Sequence, residues 1–265
     1  MRWVLLLALL GALGPRPAAA QVGEEHIETD RDSFTPSTAT AGCGLTIVES
    51  AYSFIDNRDV AETHSFPELL VRYGVCDWLE LRFGANYEVG GASNSISSSS
   101  GSFGDIEEPG IETEANLSYG FKAQITQQQG WRPQSAAIVQ ASTPTSGRET
   151  ATHLVATYAW GWQLPNDWLW DTAIRYGDGS EEGDNFARWA PSTVVKVPLT
   201  EQWDIHAEYF GIFTDGREAE SSTHYFSPGV HYLVTPNLEV GVRTGWGLND
   251  QSANFFSNVG FGWRY

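Results

Sequence analysis

Residues 79–89 read LELRFGANYEV, and their alternation decides the fold class. Leu79, Leu81, Phe83, Ala85, Tyr87 and Val89 fall on one face of an extended chain, and Glu80, Arg82, Gly84, Asn86 and Glu88 fall on the other. Successive side chains of a strand point to opposite sides, so this segment has one wholly apolar face and one charged face. The same two-residue period recurs along the chain. Leu117, Tyr119, Phe121, Ala123 and Ile125 oppose Asn116, Ser118, Gly120, Lys122 and Gln124, and Trp203, Ile205, Ala207 and Tyr209 oppose Asp204, His206 and Glu208. With weaker segments near 46–55, 65–73, 134–142, 187–197 and 223–233, the pattern gives about twelve strands.

A soluble antiparallel sandwich also alternates, but it needs its charged faces in water. Here the polar faces carry both signs, as though they look at one another across a lumen. Tight connections such as Gly74–Asp77, Pro165–Asp167 and Thr235–Asn237 alternate with longer ones, above all Gly90–Gly110. That is the asymmetry of a transmembrane antiparallel up-and-down β-barrel with periplasmic turns and outer loops. Trp78, Trp131, Trp168 and Trp203 stand beside short turns, while Trp189 and Trp246 lie toward the long connections, as two interfacial girdles require.

Composition agrees. The chain has 265 residues, 13% of them aromatic, with 33 Asp plus Glu against 15 Lys plus Arg. It is too aromatic for a disordered acidic chain and too acidic to bind nucleic acid through phosphates. Met1–Ala20 has a basic start, a short apolar run and a small-residue end, which predicts a secretory signal peptide. Residues 21–45 form a polar, acidic segment expected either to hang in the periplasm or to plug the lumen, and residues 46–265 form the barrel.

If the apolar faces meet lipid, the interior is lined by Arg72, Glu80, Arg82, Glu88, Glu114, Lys122, Asp171, Arg175, Asp204, His206, Glu208, Glu239 and Arg243. Such a nearly neutral lumen selects weakly by charge, and about twelve strands imply a constricted pore. Cys43 and Cys76 both fall on the turn-side rim, where a disulfide between them is expected. The motif DGSEEGD at 178–184 lacks the spacing of a calcium loop. No G-x-S-x-G or H-E-x-x-H motif occurs, so neither hydrolase nor metal chemistry is expected from spacing.

Several segments resemble the phenol-degradation meta-pathway (MetA-pathway) family of outer-membrane transporters. They are LLVRYGVCDWLELRF at 69–83, Gly104 and Asp105 leading to Tyr119–Lys122, Thr143–Thr145, Glu208–Tyr209, Asn237–Val240 and Gly245–Asn249. Glu239 and Ser146 depart from the family pattern, where Asp and Gly are commoner. The final strand ends Phe261, Trp263, Tyr265, which looks like the C-terminal signal by which outer-membrane barrels are recognised for assembly. The resemblance implies location in the cell outer membrane and contact with membrane lipid and lipopolysaccharide. It also implies handling by the barrel-assembly machinery and passage of a small hydrophobic or aromatic solute. No cofactor and no nucleic acid is expected. The alternatives are an outer-membrane enzyme of lipase or protease type and a structural or adhesive barrel.

Overall fold

The computed structural model describes residues 26–97, 111–147, 150–181, 184–216 and 220–265. The predicted signal peptide lies outside the described residues. The chain forms one antiparallel sheet closed on itself. Its strands are β1 (Thr46–Asp56), β2 (Thr63–Ser65), β3 (Leu69–Cys76), β4 (Leu79–Gly90), β5 (Glu112–Thr126), β6 (Gln134–Ser146), β7 (His153–Gln163), β8 (Leu169–Glu181), β9 (Asp184–Pro198), β10 (Trp203–Asp215), β11 (Ser222–Thr235), β12 (Leu238–Gly247) and β13 (Phe255–Arg264). Each long strand pairs with the next, and β13 returns to β1 from Phe255 opposite Asp56 to Arg264 opposite Ile47. Reciprocal Thr46–Tyr265 backbone bonds of 2.9 Å extend that seam. Among the described residues closure leaves no unpaired edge strand, which hydrocarbon would not tolerate.

Twelve long strands make the barrel, and the three-residue β2 is an addition. The expected strand near 65–73 is divided: β2 pairs with the loop end of β1, and β3 pairs with its turn end. Between them lie the Phe66–Pro67 peptide and Glu68 at φ 40°, which interrupt the ladder. β8 and β9 are longer than the alternation alone implied. Within DGSEEGD, residues 178–181 pair along β9 as far as Asp184 opposite Glu181.

Burial is inverted relative to a soluble protein. Leu81 is 51% and Phe83 47% exposed, whereas Glu80 is 0% and Arg82 3% exposed. Apolar atoms so presented require hydrocarbon around them. Aromatic pairs mark both borders of that band. Trp162–Trp170, Trp203–Tyr232 and Trp263–Tyr265 lie 5.0, 4.7 and 5.1 Å apart near the turn end, and Tyr176–Trp189 lies at 4.3 Å toward the loop end. Phe261, Trp263 and Tyr265 themselves face outward on the last strand.

Candidate functional site

The N-terminal segment folds back into the lumen. It starts at the turn end, where the Ile27 amide donates to the Pro236 carbonyl at 2.9 Å, reaches mid-barrel at Phe34, and returns to the turn end, where the Thr40 hydroxyl donates to the Asp77 carbonyl at 2.7 Å. Thr29–Thr38 is buried throughout. Glycine in the wall makes room for it. A Cβ at Gly262 would lie 2.3 Å from Thr29, and one at Gly260 would lie 2.0 Å from Arg31.

This insert has no strand or helix of its own, so its backbone groups must find partners elsewhere. Wall side chains supply them. Glu49 Oε2 accepts from the amides of Asp30 and Arg31 at 2.9 Å, Glu80 Oε2 accepts from Ala41 at 2.8 Å, and Glu208 accepts from Phe34 and Thr35 at 2.9 and 2.7 Å. Carbonyls are met by cations: Arg72 donates to Glu28 and Ala39, Lys122 to Ser37 and Ala39, and Arg175 to Phe34. Irregular backbone at membrane depth is tolerable only when satisfied in this way.

Asp30 is the ionic centre of the insert. Its Oδ2 lies 2.5 Å from Arg82, 2.6 Å from Lys122 and 3.7 Å from Arg72, and its Oδ1 accepts from the Ser37 amide at 3.0 Å. Glu80 shares the same cations, at 2.6 Å from Arg82 and 3.0 Å from Arg72. Burial alone would raise the Asp30 pKa, but the attraction of Arg72, Lys122 and Arg82 outweighs it and holds the carboxyl well below the usual range. The group is therefore charged at any physiological pH.

At the tip the chemistry changes. Phe34 stacks on Phe210 at 4.3 Å, and the Arg175 guanidinium lies 4.3 Å over the Phe34 ring. Phe210 stacks on Tyr225 at 4.8 Å, and Phe256, Ile55, Val155 and Ile212 complete a buried apolar cluster. From the loop end, residues 94–97 also fold inward and add Ile96 to that cluster. Asn94 is fixed by its amide to Glu88 and its side chain to Glu68, both at 2.7 Å, and Arg243 donates to the Ile96 carbonyl at 2.5 Å. Arg243 also reaches Glu208 at 3.2 Å, which links both segments.

Of the lumen residues expected from sequence, Glu114 and Asp204 are half-buried, and the others are buried inside. Arg72, Glu80, Arg82 and Lys122 converge on Asp30, whereas Arg175, Glu208 and Arg243 hold the tip. His206 meets His231 at 2.6 Å, Glu239 accepts from Thr29 at 3.0 Å, and Glu88 binds Asn94. Asp171 lines the wall beside Gly161. Alternation did not reveal Asp30 or the inward aromatics Phe210, Tyr225 and Phe256. Cys43 and Cys76 are free thiols, with the Cys43 sulfur 3.8 Å from the Val75 carbonyl on the exposed rim.

The family model described as "Putative MetA-pathway of phenol degradation" matches residues 29–265. The chain belongs to that family. The match takes in both the barrel and the insert from Thr29 onward. An outer membrane channel from Pseudomonas putida F1 is 13% identical, superposes with a TM-score of 0.57, and covers 90% of this chain and 100% of its own. The translocator domain of the autotransporter NalP from Neisseria meningitidis is 12% identical with a TM-score of 0.51, covering 84% of this chain and 89% of its own. At these identities the likeness is one of fold, and it places this family member among outer-membrane barrels. No curated protein sequence matches the chain.

Proposed function

We propose that this protein is an outer-membrane channel for small hydrophobic or aromatic solutes, with its lumen closed in this structure. The observation that carries this reading is the buried apolar cluster within an otherwise polar interior, formed by Phe34, Ile55, Ile96, Phe210, Tyr225 and Phe256. An aromatic solute arriving from the loop end meets residues 94–97, then rings on which it can stack, then the Phe34 floor. Stacked or tilted aromatic pairs contribute roughly 0.5–1.5 kcal/mol beyond area burial. That is enough to concentrate a solute without trapping it.

Passage to the turn end requires the insert to move, because Thr29–Thr38 fills that half. The wall charges then serve the closed state and do not select the solute. The shared fold of the outer membrane channel from Pseudomonas putida F1 supports the same reading. The test is conductance and flux with purified full-length protein. In planar bilayers the wild type should show rare openings. In liposomes the protein should raise phenol flux above that of protein-free vesicles by more than it raises the flux of a sugar of similar size. An equal protein-dependent increase for the two solutes would remove the apolar cluster as the selective element. Absence of both conductance and flux, even after the insert is freed by Asp30→Ala, would favour the structural barrel.

A further inference from the structure

Below the apolar cluster, on the turn side, the insert meets the wall at a second group of side chains that the clamp around Asp30 does not use. Asp32 of the insert, His231 of β11 and Glu239 of β12 are all buried, and one ligand-type atom of each lies within 4.8 Å of the others. His231 Nδ1 has no hydrogen-bond partner, although the side chain is only 4% exposed; it points at Glu239 Oε1 from 3.4 Å. A buried imidazole nitrogen left unpaired is costly unless something occupies the position it faces.

The other nitrogen of the ring is already engaged. His231 Nε2 lies 2.6 Å from His206 Nδ1. If His231 Nε2 carries the proton and donates it to His206 Nδ1, then Nδ1 of His231 presents a lone pair toward Asp32 and Glu239. This is how a metal-binding histidine is oriented, its distal N–H given to a fixed acceptor. The wall leaves space for both rings: a Cβ at Gly229 would fall 2.3 Å from His206, and one at Gly241 would fall 2.7 Å from His231 Nδ1.

We propose that Asp32, His231 and Glu239 form a divalent transition-metal site that bridges the N-terminal insert to the barrel wall, with Zn²⁺ the ion its donors fit. One imidazole and two carboxylates suit zinc, whose bonds to nitrogen and oxygen are about 2.0–2.2 Å and whose fourth position can hold water. Ligand atoms already grouped within 4.8 Å need contract only modestly around such an ion. Lys196 Nζ lies 2.5 Å from Asp32 Oδ2 and holds one of its oxygens, so the ion would take the other. Thr29 donates to Glu239 Oε1 at 3.0 Å and orients that carboxylate. His206 is a positioning residue. The Glu239 side chain keeps 11% exposure, which gives the ion a route from the turn-side rim. The site stands whether or not the barrel conducts.

The experiment uses full-length protein folded in detergent, its fold checked by heat-modifiable gel migration, and titrated with Co²⁺ as a visible probe and with Zn²⁺ by calorimetry. One ion should bind per chain, with the visible bands of a nitrogen-and-oxygen site, and Zn²⁺ should displace Co²⁺. Glu239→Gln and Asp32→Asn, both close in shape, should each weaken binding by at least tenfold, and His231→Ala should abolish it. His206→Gln should cost about 10- to 100-fold, as loss of an orienting partner does elsewhere. Lys196→Met should tighten binding, since it removes a competing positive charge. Zn²⁺ should also slow proteolysis within residues 26–41 in the wild type and not in Asp32→Asn. Failure of the folded wild type to bind either ion, or binding unchanged in both Glu239→Gln and His231→Ala, would overturn the proposal; the latter result would assign the ion to the other histidines.

Discussion

From the turn end, the insert Thr29–Thr38 is held by a buried ionic knot, in which Asp30 contacts Arg72, Arg82 and Lys122, cations it shares with Glu80 of the wall. From the loop end, residues 94–97 are held by Asn94 on Glu88 and Glu68, by one guanidinium on the Ile96 carbonyl, and by the fit of Ile96 among rings. Both close the same lumen, but they differ in what opening costs. Drawing the insert out strands several charges in a low-dielectric wall at once. Drawing out the loop segment breaks a few hydrogen bonds and exposes one aliphatic side chain. In the proposed channel the outer closure is therefore the one a solute would displace by its own binding, and the inner closure the one that would need a separate trigger. Arg243, bonded to both Glu208 and Ile96, lies where movement of the first could reach the second.

The largest expected effect comes from Asp30→Ala. Removing one partner of a buried ion pair costs roughly 3–5 kcal/mol, because the remaining charges lose their compensation. Here Glu80 still shares the cations, yet Ser37 also loses its acceptor. The insert should leave the lumen, seen as cleavage by an added protease within 26–41 and as sustained conductance in bilayers. Protection equal to the wild type would mean that backbone bonds to Glu49 and Glu208, and not the ionic knot, hold the insert.

A smaller effect is expected at the other closure. Asn94→Ala removes the side-chain contact to Glu68 and the acceptor for the Ile96 and Ser97 amides. The Asn94 amide bond to Glu88 survives, so the loss is about 1–3 kcal/mol. Phenol flux should rise while protease resistance of residues 26–41 stays unchanged. Simultaneous release of the insert would show that the two closures are one unit coupled through Arg243.

The barrel was legible in the sequence because lipid on one side and polar groups on the other force every strand to alternate, and Leu79–Val89 records that demand residue by residue. The division near Phe66–Glu68 was not, because β2 has only three residues and no period to detect. The insert was less legible still. Its polar, acidic composition suits a free tail or a plug equally, and only the register of the wall brings Arg82 and Lys122 to the same side-chain depth as Asp30. Phe210 and Tyr225 interrupt the run of polar side chains on the inward faces of their strands, and those interruptions are the trace that the apolar cluster leaves in the sequence. His231, Glu239 and Asp32 carry no metal spacing, since two neighbouring strands and a distant insert supply them.

The smallest expected effect is a null response to pH, and it separates the ionic knot from its surroundings. The Asp30 carboxyl sits well below its unfolded value, about 3.9. A depressed carboxylate contributes its full stabilisation above the unfolded pKa and loses it only as pH falls through the folded one. Between about pH 8 and 5 Asp30 should therefore keep its charge and its hold on the cations that face it. The insert's protease resistance should accordingly be flat over that range and fall only in strong acid. If resistance instead falls between pH 7 and 5, the latch is not Asp30. The carboxylates of Glu49 and Glu208, which accept the insert's amides, are then the groups to change, and Glu208→Gln should flatten the response.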